Sequence, residues 1–444
     1  MTIHSKDGVS GQTKLERISE LSAQNKDLVF NNLGHLLNVT LLKELFHRLD
    51  GNKAVGIDNV TKANYGKCLD ENLANLLKRI RRNTYRPQPA RLVEIPKADG
   101  SSRPLAISCL EDKLVQSAVN LILTKIYEPL FLPYSYGFRA NKNCHDALRS
   151  LSKTTYQFWY GAVAEIDLRK CFDTIPHGKL LDCLQKKISD KRFLRLISCL
   201  LKTPIIKGEQ ITVNEIGCPQ GSILSPTLSS IYLHEVVDSW FSEISKTHFK
   251  GKAEMVRYCD DMVFIFQRQD DAARFYQVLP KRLGKYGLTL HTEKSRLIQS
   301  GHMLAMRANQ QGKRLPTYQF LGFTCYWGRA RNGYWRLKYT SRRDRFTEKL
   351  KGLRKFLQKQ LNTTDTTAVL NTVVRVLRGW INYHGISDND KRVKGFIHKS
   401  RRILLCWFNR RGRKNPMNWV TFMKIMKKIN FPERWKTVSM FNYS

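Results

Sequence analysis

Two adjacent acidic residues, Asp260 and Asp261, stand between apolar runs at residues 254–257 and 262–266. Apolar runs separated by a short polar break predict a β-hairpin with the acids at its tip. Asp is common in turns, so a bare Asp-Asp pair would indicate only a solvated turn. The β-branched and aromatic flanks instead predict a buried hairpin, in which Arg257 is the one nearby cation. Two crowded carboxylates repel, and a divalent cation between them would relieve that repulsion.

A second apolar run, at residues 162–166, ends in another acid, Asp167. One strand that delivers one carboxylate beside a hairpin that delivers two is the arrangement of a two-metal phosphoryl-transfer site. One ion would lower the pKa of an attacking 3′-hydroxyl, and the other would stabilise the leaving pyrophosphate. Oxygen ligands without clustered His or Cys favour Mg²⁺ over zinc, so two Mg²⁺ ions are predicted. The nearby Asp173 is expected to be structural.

The chain is strongly basic, and the charge is uneven. Its 444 residues carry a formal net charge of +39. Residues 301–444 hold 32 Lys and Arg against 6 Asp and Glu, a net +26, which leaves +13 for the first 300 residues. Such a field predicts a polyanionic partner, nucleic acid above all, with anionic lipid as the competing interpretation. Aromatic residues interleaved with the cations suit bases and backbones, although several will belong to the core.

The length predicts two or three domains. No run of about 18 or more apolar residues is present, so no membrane span is expected. The N-terminus, Met1 to Lys14, is polar and lacks the apolar segment of a secretory signal. Ten cysteines without a C-x-x-C pair predict reduced thiols, a cytoplasmic setting and no zinc module.

The pattern of elements divides the chain into three parts. Residues 1–50 are predicted to be an N-terminal extension with a helical stretch, and residues 51–335 to form a mixed domain. A hairpin is predicted over residues 91–107, because Asp99-Gly100 is a strong turn signal between two apolar runs. Residues 336–444 are predicted to form basic amphipathic helices.

Several motifs occur in a fixed order along the chain, and together they resemble a reverse transcriptase of the bacterial group II intron-like class. The resemblance covers residues 50–330 most strongly. Its segments are Tyr85-Arg86-Pro87-Gln88-Pro89, Ile95-Pro96-Lys97-Ala98-Asp99-Gly100, Arg103-Pro104-Leu105, Tyr134-Ser135-Tyr136-Gly137-Phe138-Arg139, Gly217-Cys218-Pro219-Gln220-Gly221, Leu224-Ser225-Pro226, Tyr258-Cys259-Asp260-Asp261, Phe320-Leu321-Gly322-Phe323 and Leu377-Arg378-Gly379-Trp380-Ile381-Asn382-Tyr383.

The resemblance implies an α+β fold with the architecture of a right hand: fingers, a palm with an antiparallel catalytic sheet, and an all-α basic thumb. It implies that Asp167, Asp260 and Asp261 bind the two Mg²⁺ ions. Lys97 and Arg103 would hold the incoming triphosphate. It further implies that Phe172 is a steric gate against the 2′-hydroxyl, that Gln220 contacts the nucleotide and template, and that Lys294 protonates the leaving pyrophosphate.

Simpler interpretations exist for these residues taken singly. Lys97 and Arg103 would be solvated charges, Phe172 a core residue, Gln220 a turn cap and Lys294 one cation among many. For nucleic acid, the resemblance assigns a primer grip at Phe320, Leu321 and Gly322, and thumb contacts at Arg378 and Trp380. Cys259 is expected to be a packing residue, where Ala is more usual in the family. No zinc-dependent nuclease is expected, since Cys325 and Cys406 are the only cysteines after residue 300.

The predicted activity is RNA-directed DNA polymerisation, in which dNTPs and an RNA template give a cDNA product. The favoured role is antiphage defence, with a structured non-coding RNA as the dedicated template. The alternative is a group II intron maturase that binds its intron RNA and assists splicing and mobility. A third hypothesis, a non-catalytic RNA-binding factor, predicts the loss of metal ligands, yet all three carboxylates are present.

Overall fold

The computed structural model describes residues 11–96, 102–412 and 416–441. Helices and strands are mixed along the first three quarters of the chain, and helices alone follow. The strands are β1 (Ala90–Pro96), β2 (Ser102–Ile107), β3 (Gly161–Ile166), β4 (Ile205–Lys207), β5 (Gln210–Thr212), β6 (Ala253–Tyr258), β7 (Asp261–Phe266), β8 (Arg296–Ser300), β9 (Tyr318–Phe320), β10 (Phe323–Arg329) and β11 (Trp335–Ser341). This is the predicted α+β class.

The α-helices surround the sheets and then form a bundle of their own. They are α1 (Gly11–Gln24), α2 (Val39–Arg48), α3 (Lys62–Gly66), α4 (Leu69–Arg81), α5 (Leu110–Tyr127), α6 (Cys144–Gln157), α7 (Cys171–Thr174), α8 (His177–Gln185), α9 (Lys191–Leu201), α10 (Ser225–Leu233), α11 (Ser239–Thr247), α12 (Gln269–Lys285), α13 (His302–Gln310), α14 (Arg343–Lys359), α15 (Thr366–His384), α16 (Asp390–Arg411) and α17 (Trp419–Lys428). A π-helical turn, His234–Asp238, joins α10 to α11.

The central sheet has the strand order β6-β7-β3-β8, with antiparallel neighbours throughout. Strands β3 and β7 are almost fully buried because α12 packs on one face while α6 and the β9–β11 sheet cover the other. Strand β3 is the partner of β7, so the end of β3 lies beside the β6–β7 turn. This topology brings the three predicted carboxylates to one edge of the sheet.

Two smaller sheets flank the central one. The first has the order β2-β1-β4-β5, and its β1–β2 pair is the hairpin predicted over residues 91–107. The second has the order β11-β10-β9. In that sheet β11 pairs with β10 across the boundary predicted between residues 335 and 336. The helical unit itself begins with α14 at Arg343.

Separate apolar cores form beneath these sheets and helices. One joins the N-terminal helices to the face of the central sheet that α12 covers, so the predicted N-terminal extension shares a core with the residues that follow it. Helices α14 to α17 build a second core, which includes Phe346, Trp380, Phe396 and Trp407. None of the described helices is both long and apolar enough to cross a membrane.

Candidate functional site

Asp260 and Asp261 lie at the tip of the β6–β7 hairpin, as their spacing predicts. Tyr258 pairs with Asp261, so Cys259 and Asp260 form the connection between the strands. Cys259 has φ 59°, in the left-handed region that side chains rarely adopt. A segment from Tyr134 to Tyr136 runs beside β6 and bonds to it through the backbone of Arg257, at 2.9 and 2.8 Å. The hairpin is therefore supported from outside its own sheet.

Asp167 reaches the same edge from β3 and is fixed by its backbone. Its N–H donates to Ser295 Oγ at 3.0 Å, and its carbonyl accepts the N–H of His291 at 2.8 Å. The residues just before β8, His291 and Ser295, thus hold the backbone of Asp167 without using its carboxylate. That carboxylate is 44% exposed, with Lys294 Nζ 4.0 Å from its Oδ2.

Burial and mutual repulsion raise the affinity of two of these carboxylates for protons. Burial raises the pKa of Asp260, and the charge of Asp167 raises it further, while Arg103 and Arg257 oppose. Burial also raises the pKa of Asp261 to about 7, with the charges of Asp260, Asp167 and Glu165 adding to it. A hydrogen bond from Leu321 N–H to Asp261 Oδ2, at 3.1 Å, acts in the opposite direction. The site is one in which negative charge is crowded and only partly compensated.

The donor chemistry of this site fits a hard cation. Carboxylate oxygens are the ligands that Mg²⁺ prefers, and a bound cation would relieve the repulsion that raises the two pKa values. Among the residues that the structure describes, however, no group of three His, Cys, Asp or Glu side chains stands in an arrangement that could hold a metal ion. The two-Mg²⁺ site therefore stays a prediction, supported by donor type and electrostatics.

A cavity of about 830 Å³ opens onto the carboxylates. Asp167, Asp261, Arg103 and Lys294 line it, as does the turn after β9. Arg103 lies on β2 and is exposed, close enough for its charge to act on Asp260. Lys97, its predicted partner, lies outside the described residues. The structure thus brings residues from the β1–β2 hairpin, from β3 and from β7 to one cavity, as the order of motifs predicts.

Phe172 and Gln220 are not among the residues that line this cavity. Phe172 is half-buried on the short helix α7, and its carbonyl accepts the N–H of Cys218 at 2.7 Å. Gln220 donates to Asp173 Oδ1 at 3.2 Å, and its carbonyl accepts the N–H of Ala106 at 2.7 Å. The loop that contains Gln220 is therefore fastened to both α7 and β2. Contacts of either side chain with a nucleotide stay a prediction.

A larger basic groove, of about 1880 Å³, continues from the cavity towards the helical unit. Gln319, Gly322, Arg342 and Arg345 line both spaces, so the two are continuous. Within the groove, the basic side chains outnumber the acids Asp344 and Glu348; they are Arg342, Arg343, Arg345, Lys349, Lys351, Lys355 and Arg375. A continuous path lined by cations, leading to crowded carboxylates, suits a nucleic-acid backbone.

For three of the predicted nucleic-acid contacts the structure shows partners within the protein, so their contacts with nucleic acid stay predictions. Phe320 is 1% exposed, so its ring packs in the core between the sheets, and only the backbone and the following Leu321-Gly322 turn face the cavity. Trp380 is 7% exposed and stacks on Phe396, with ring centroids 3.8 Å apart, so its ring is mainly a core element. Arg378 is not among the residues that line the groove, and it donates to the carbonyl of Asn430 at 3.0 Å.

Sequence reasoning missed a buried ion pair beneath the hairpin. Arg257, the nearby cation, pairs with a third acid rather than with Asp260 or Asp261: its Nε donates to Asp238 Oδ1 at 2.7 Å and its Nη2 to Asp238 Oδ2 at 2.5 Å. Its Nη2 also donates to Ser135 Oγ at 2.8 Å, and its Nη1 to the carbonyl of Cys259 at 3.1 Å. Both charged side chains are 0% exposed. Burial alone would raise the pKa of Asp238, but the guanidinium holds it below its usual range.

The comparisons with known proteins agree with this geometry. The family model described as reverse transcriptase (RNA-dependent DNA polymerase) matches residues 95–325, more than half of the chain. The chain belongs to the reverse transcriptase family. The model for the group II intron maturase-specific domain matches residues 343–424, which span α14 to α16 and part of α17. The right-hand polymerase fold is what this family implies, and the mixed helix and sheet of the structure is consistent with it.

Several of the curated relatives are named as intron proteins. The group II intron-encoded protein LtrA of Lactococcus lactis subsp. cremoris is 36% identical over 228 residues, which cover 50% of this chain and 37% of the relative. An uncharacterized 91 kDa protein in the cob intron of Schizosaccharomyces pombe is 33% identical over 258 residues, 56% of this chain and 31% of the relative. Protein YkfC of Escherichia coli is 35% identical over 209 residues, which cover 46% of this chain and 53% of the relative. The matches span well under two thirds of these relatives.

Proposed function

We propose that this protein is a group II intron-type reverse transcriptase and maturase, which copies RNA into cDNA and binds a structured RNA. The observation that carries the proposal is the continuous space in which Asp167 and Asp261 meet Arg103 and a basic groove, with Asp260 close enough to feel the charges of Asp167 and Arg103. The maturase-specific match and the intron-encoded relatives favour the maturase role. Antiphage defence, favoured from sequence alone, finds no support in the comparisons and is not proposed.

Two Mg²⁺ ions held by Asp167, Asp260 and Asp261 would activate the primer 3′-hydroxyl and neutralise the pyrophosphate. The chain's own residues supply orientation and charge. Arg103 would face the triphosphate across the cavity, and Lys294, beside Asp167, would deliver a proton to the leaving group. The cations of α14 and the turn after β9 would hold the template–primer by its phosphates. This division fits phosphoryl transfer, in which positioning and electrostatics supply most of the catalysis.

A primer-extension assay tests the polymerase activity. An RNA template with an annealed DNA primer, Mg²⁺ and dNTPs should give extended primer with wild type. The Asp260→Asn, Asp261→Asn double variant should give none while still binding the template–primer. Asp270→Asn is the matched control, because Asp270 is an exposed acid on α12 that pairs with Arg268. Equal extension by wild type and the double variant would overturn the assignment of the carboxylates.

The same assay with ribonucleotides tests Phe172. If its ring excludes the 2′-hydroxyl, Phe172→Ala should incorporate rNTPs at least about tenfold better relative to dNTPs, a discrimination of the size that one pocket side chain supplies. Unchanged selectivity would assign Phe172 to the core.

Sequencing the RNA that copurifies with the protein tests the maturase role. A maturase should enrich one structured RNA, and a transcript that contains its intron should be spliced faster when the protein is added. If the copurifying RNA is heterogeneous and the protein does not change the rate of splicing, the maturase role is contradicted. The protein would then be a polymerase without a dedicated RNA partner.

A further inference from the structure

The turn that joins β9 to β10 has an unusual backbone. Leu321 has φ 48° and Gly322 has φ 75°, both in the left-handed region. Glycine adopts that region freely, but a leucine there is strained, and such a conformation persists only where the surroundings hold it. The contacts that hold Leu321 therefore have a structural task, and they point to a function for this turn.

Two hydrogen bonds hold Leu321 at opposite ends of the residue. Its N–H donates to Asp261 Oδ2 at 3.1 Å. Its carbonyl accepts the hydroxyl of Tyr383 at 2.9 Å. Asp261 is a predicted catalytic carboxylate, whereas Tyr383 lies near the end of the helix α15. One residue thus connects the helical unit to the catalytic hairpin through its backbone alone.

Tyr383 is itself firmly placed. Its ring stacks on Phe323, with centroids 5.8 Å apart and an angle of 17° between the planes. Its carbonyl lies 2.8 Å from His145 Nε2 on α6. Burial raises the pKa of Tyr383 above its usual range, so the hydroxyl keeps its proton and remains a donor. The position of the hydroxyl is thus set by both the sheet and the helix on which the residue lies.

We propose that Tyr383 is a positioning residue, which couples the docking of the thumb-like helix α15 to the orientation of Asp261 by way of Leu321. This inference rests on the proposed polymerase function and adds to it a mechanical connection. Movement of α15 away from the β9–β10 turn would break the hydroxyl contact and release the strained leucine. The N–H that orients the Asp261 carboxylate would then lose its fixed position.

The Tyr383→Phe variant tests this connection, since it removes one oxygen and keeps the stacked ring. Tyr339→Phe is the matched control, because Tyr339 also donates a buried hydroxyl to a backbone carbonyl, that of Leu148, at 2.8 Å. Single-turnover incorporation of one dNTP on a preformed RNA–DNA template–primer measures the chemical step. Template–primer affinity is measured separately by fluorescence anisotropy without dNTP, and thermal unfolding confirms that both variants are folded at the assay temperature.

For Tyr383→Phe we expect a rate between about two- and tenfold lower, the range that the loss of one hydrogen bond supplies. We also expect a higher Mg²⁺ concentration for half-maximal rate, with template–primer affinity and the Tyr339→Phe rate both within twofold of wild type. An unchanged rate and Mg²⁺ dependence would overturn the inference. So would a loss confined to template–primer affinity, or an equal loss in Tyr339→Phe. If wild type itself incorporates no dNTP, the proposed function fails instead.

Discussion

Breaking the ion pair between Asp238 and Arg257, beneath the β6–β7 hairpin, should be among the most damaging single changes in this protein. In Asp238→Asn, the guanidinium of Arg257 would stay buried, at 0% exposure, without its counter-charge. The asparagine could still accept one of the two hydrogen bonds that the carboxylate accepts now. Removal of one partner from a buried pair costs about 3–5 kcal/mol, so we expect the free energy of unfolding to fall by that amount.

Urea denaturation of wild type, Asp238→Asn and the double variant Asp238→Leu, Arg257→Met measures this effect. The double variant should lose less than Asp238→Asn, because no unpaired charge is left behind. Asp270→Asn provides the exposed control: its partner Arg268 is half exposed, and the urea midpoint should stay close to that of wild type. A loss below about 1 kcal/mol in Asp238→Asn, or a double variant as unstable as the single one, would refute the reasoning.

Three further predictions concern pH, a loop and salt. Burial lowers the pKa of His384 from 6.5 to about 4. Between these two pH values the unfolded chain binds a proton at this residue and the folded chain does not. The free energy of unfolding should therefore decrease by about 3 kcal/mol as pH falls from 6.5 to 4. Urea midpoints across that range should decrease less in His384→Gln. Gly221 has φ 108°, and an added Cβ would lie 2.5 Å from the carbonyl oxygen of Ala106, so Gly221→Ala should displace the Gln220 loop and slow primer extension at saturating template–primer. Lys349, Lys351 and Lys355 line the basic groove, where each would contact one phosphate. Replacing all three by Gln should reduce the steepness of log affinity for template–primer against log salt concentration by about 2 to 3. Anisotropy titrations at several salt concentrations measure that slope.

The β6–β7 hairpin could be predicted because its signal is local. Apolar residues on both sides of Asp260 and Asp261 predict two buried strands, and the short break between them predicts the turn. The β1–β2 hairpin carries an equally local signal in its Asp-Gly turn. For Asp167 the local signal is weaker, an acid at the end of one apolar run, since the pairing of β3 with β7 joins residues about a hundred positions apart.

The role of Arg257 could not be predicted from its neighbours. In sequence it is the cation nearest to the acidic pair, yet its side chain points to Asp238 in the π-helical turn His234–Asp238. Nothing in the local pattern separates a charge that faces solvent from one that is buried against a distant partner. π-Helical turns often occur at functional sites, but their sequence signature is weak.

The positions of the aromatic rings could not be predicted from the sequence for a related reason. Trp380 and Phe320 stand among basic or polar neighbours, a pattern typical of nucleic-acid contacts, but both rings pack in apolar cores. A helix that carries Lys and Arg on one face still needs large apolar residues on the other. Composition of a segment therefore predicts that it binds nucleic acid without showing which side chains do so.

The positions of the three carboxylates depend on backbone contacts from segments that the sequence shows as separate motifs. Asp167 is held by the residues before β8, the hairpin by the Tyr134–Tyr136 segment, and Asp261 by the N–H of Leu321. The first two anchors use the backbone, the third uses one carboxylate oxygen of Asp261, and together they keep like charges close in spite of their repulsion. Folding free energy from distant parts of the chain thus maintains the crowding that a cation would relieve. A substitution that removes any of these anchors should therefore lower the affinity for the metal even where the protein remains folded.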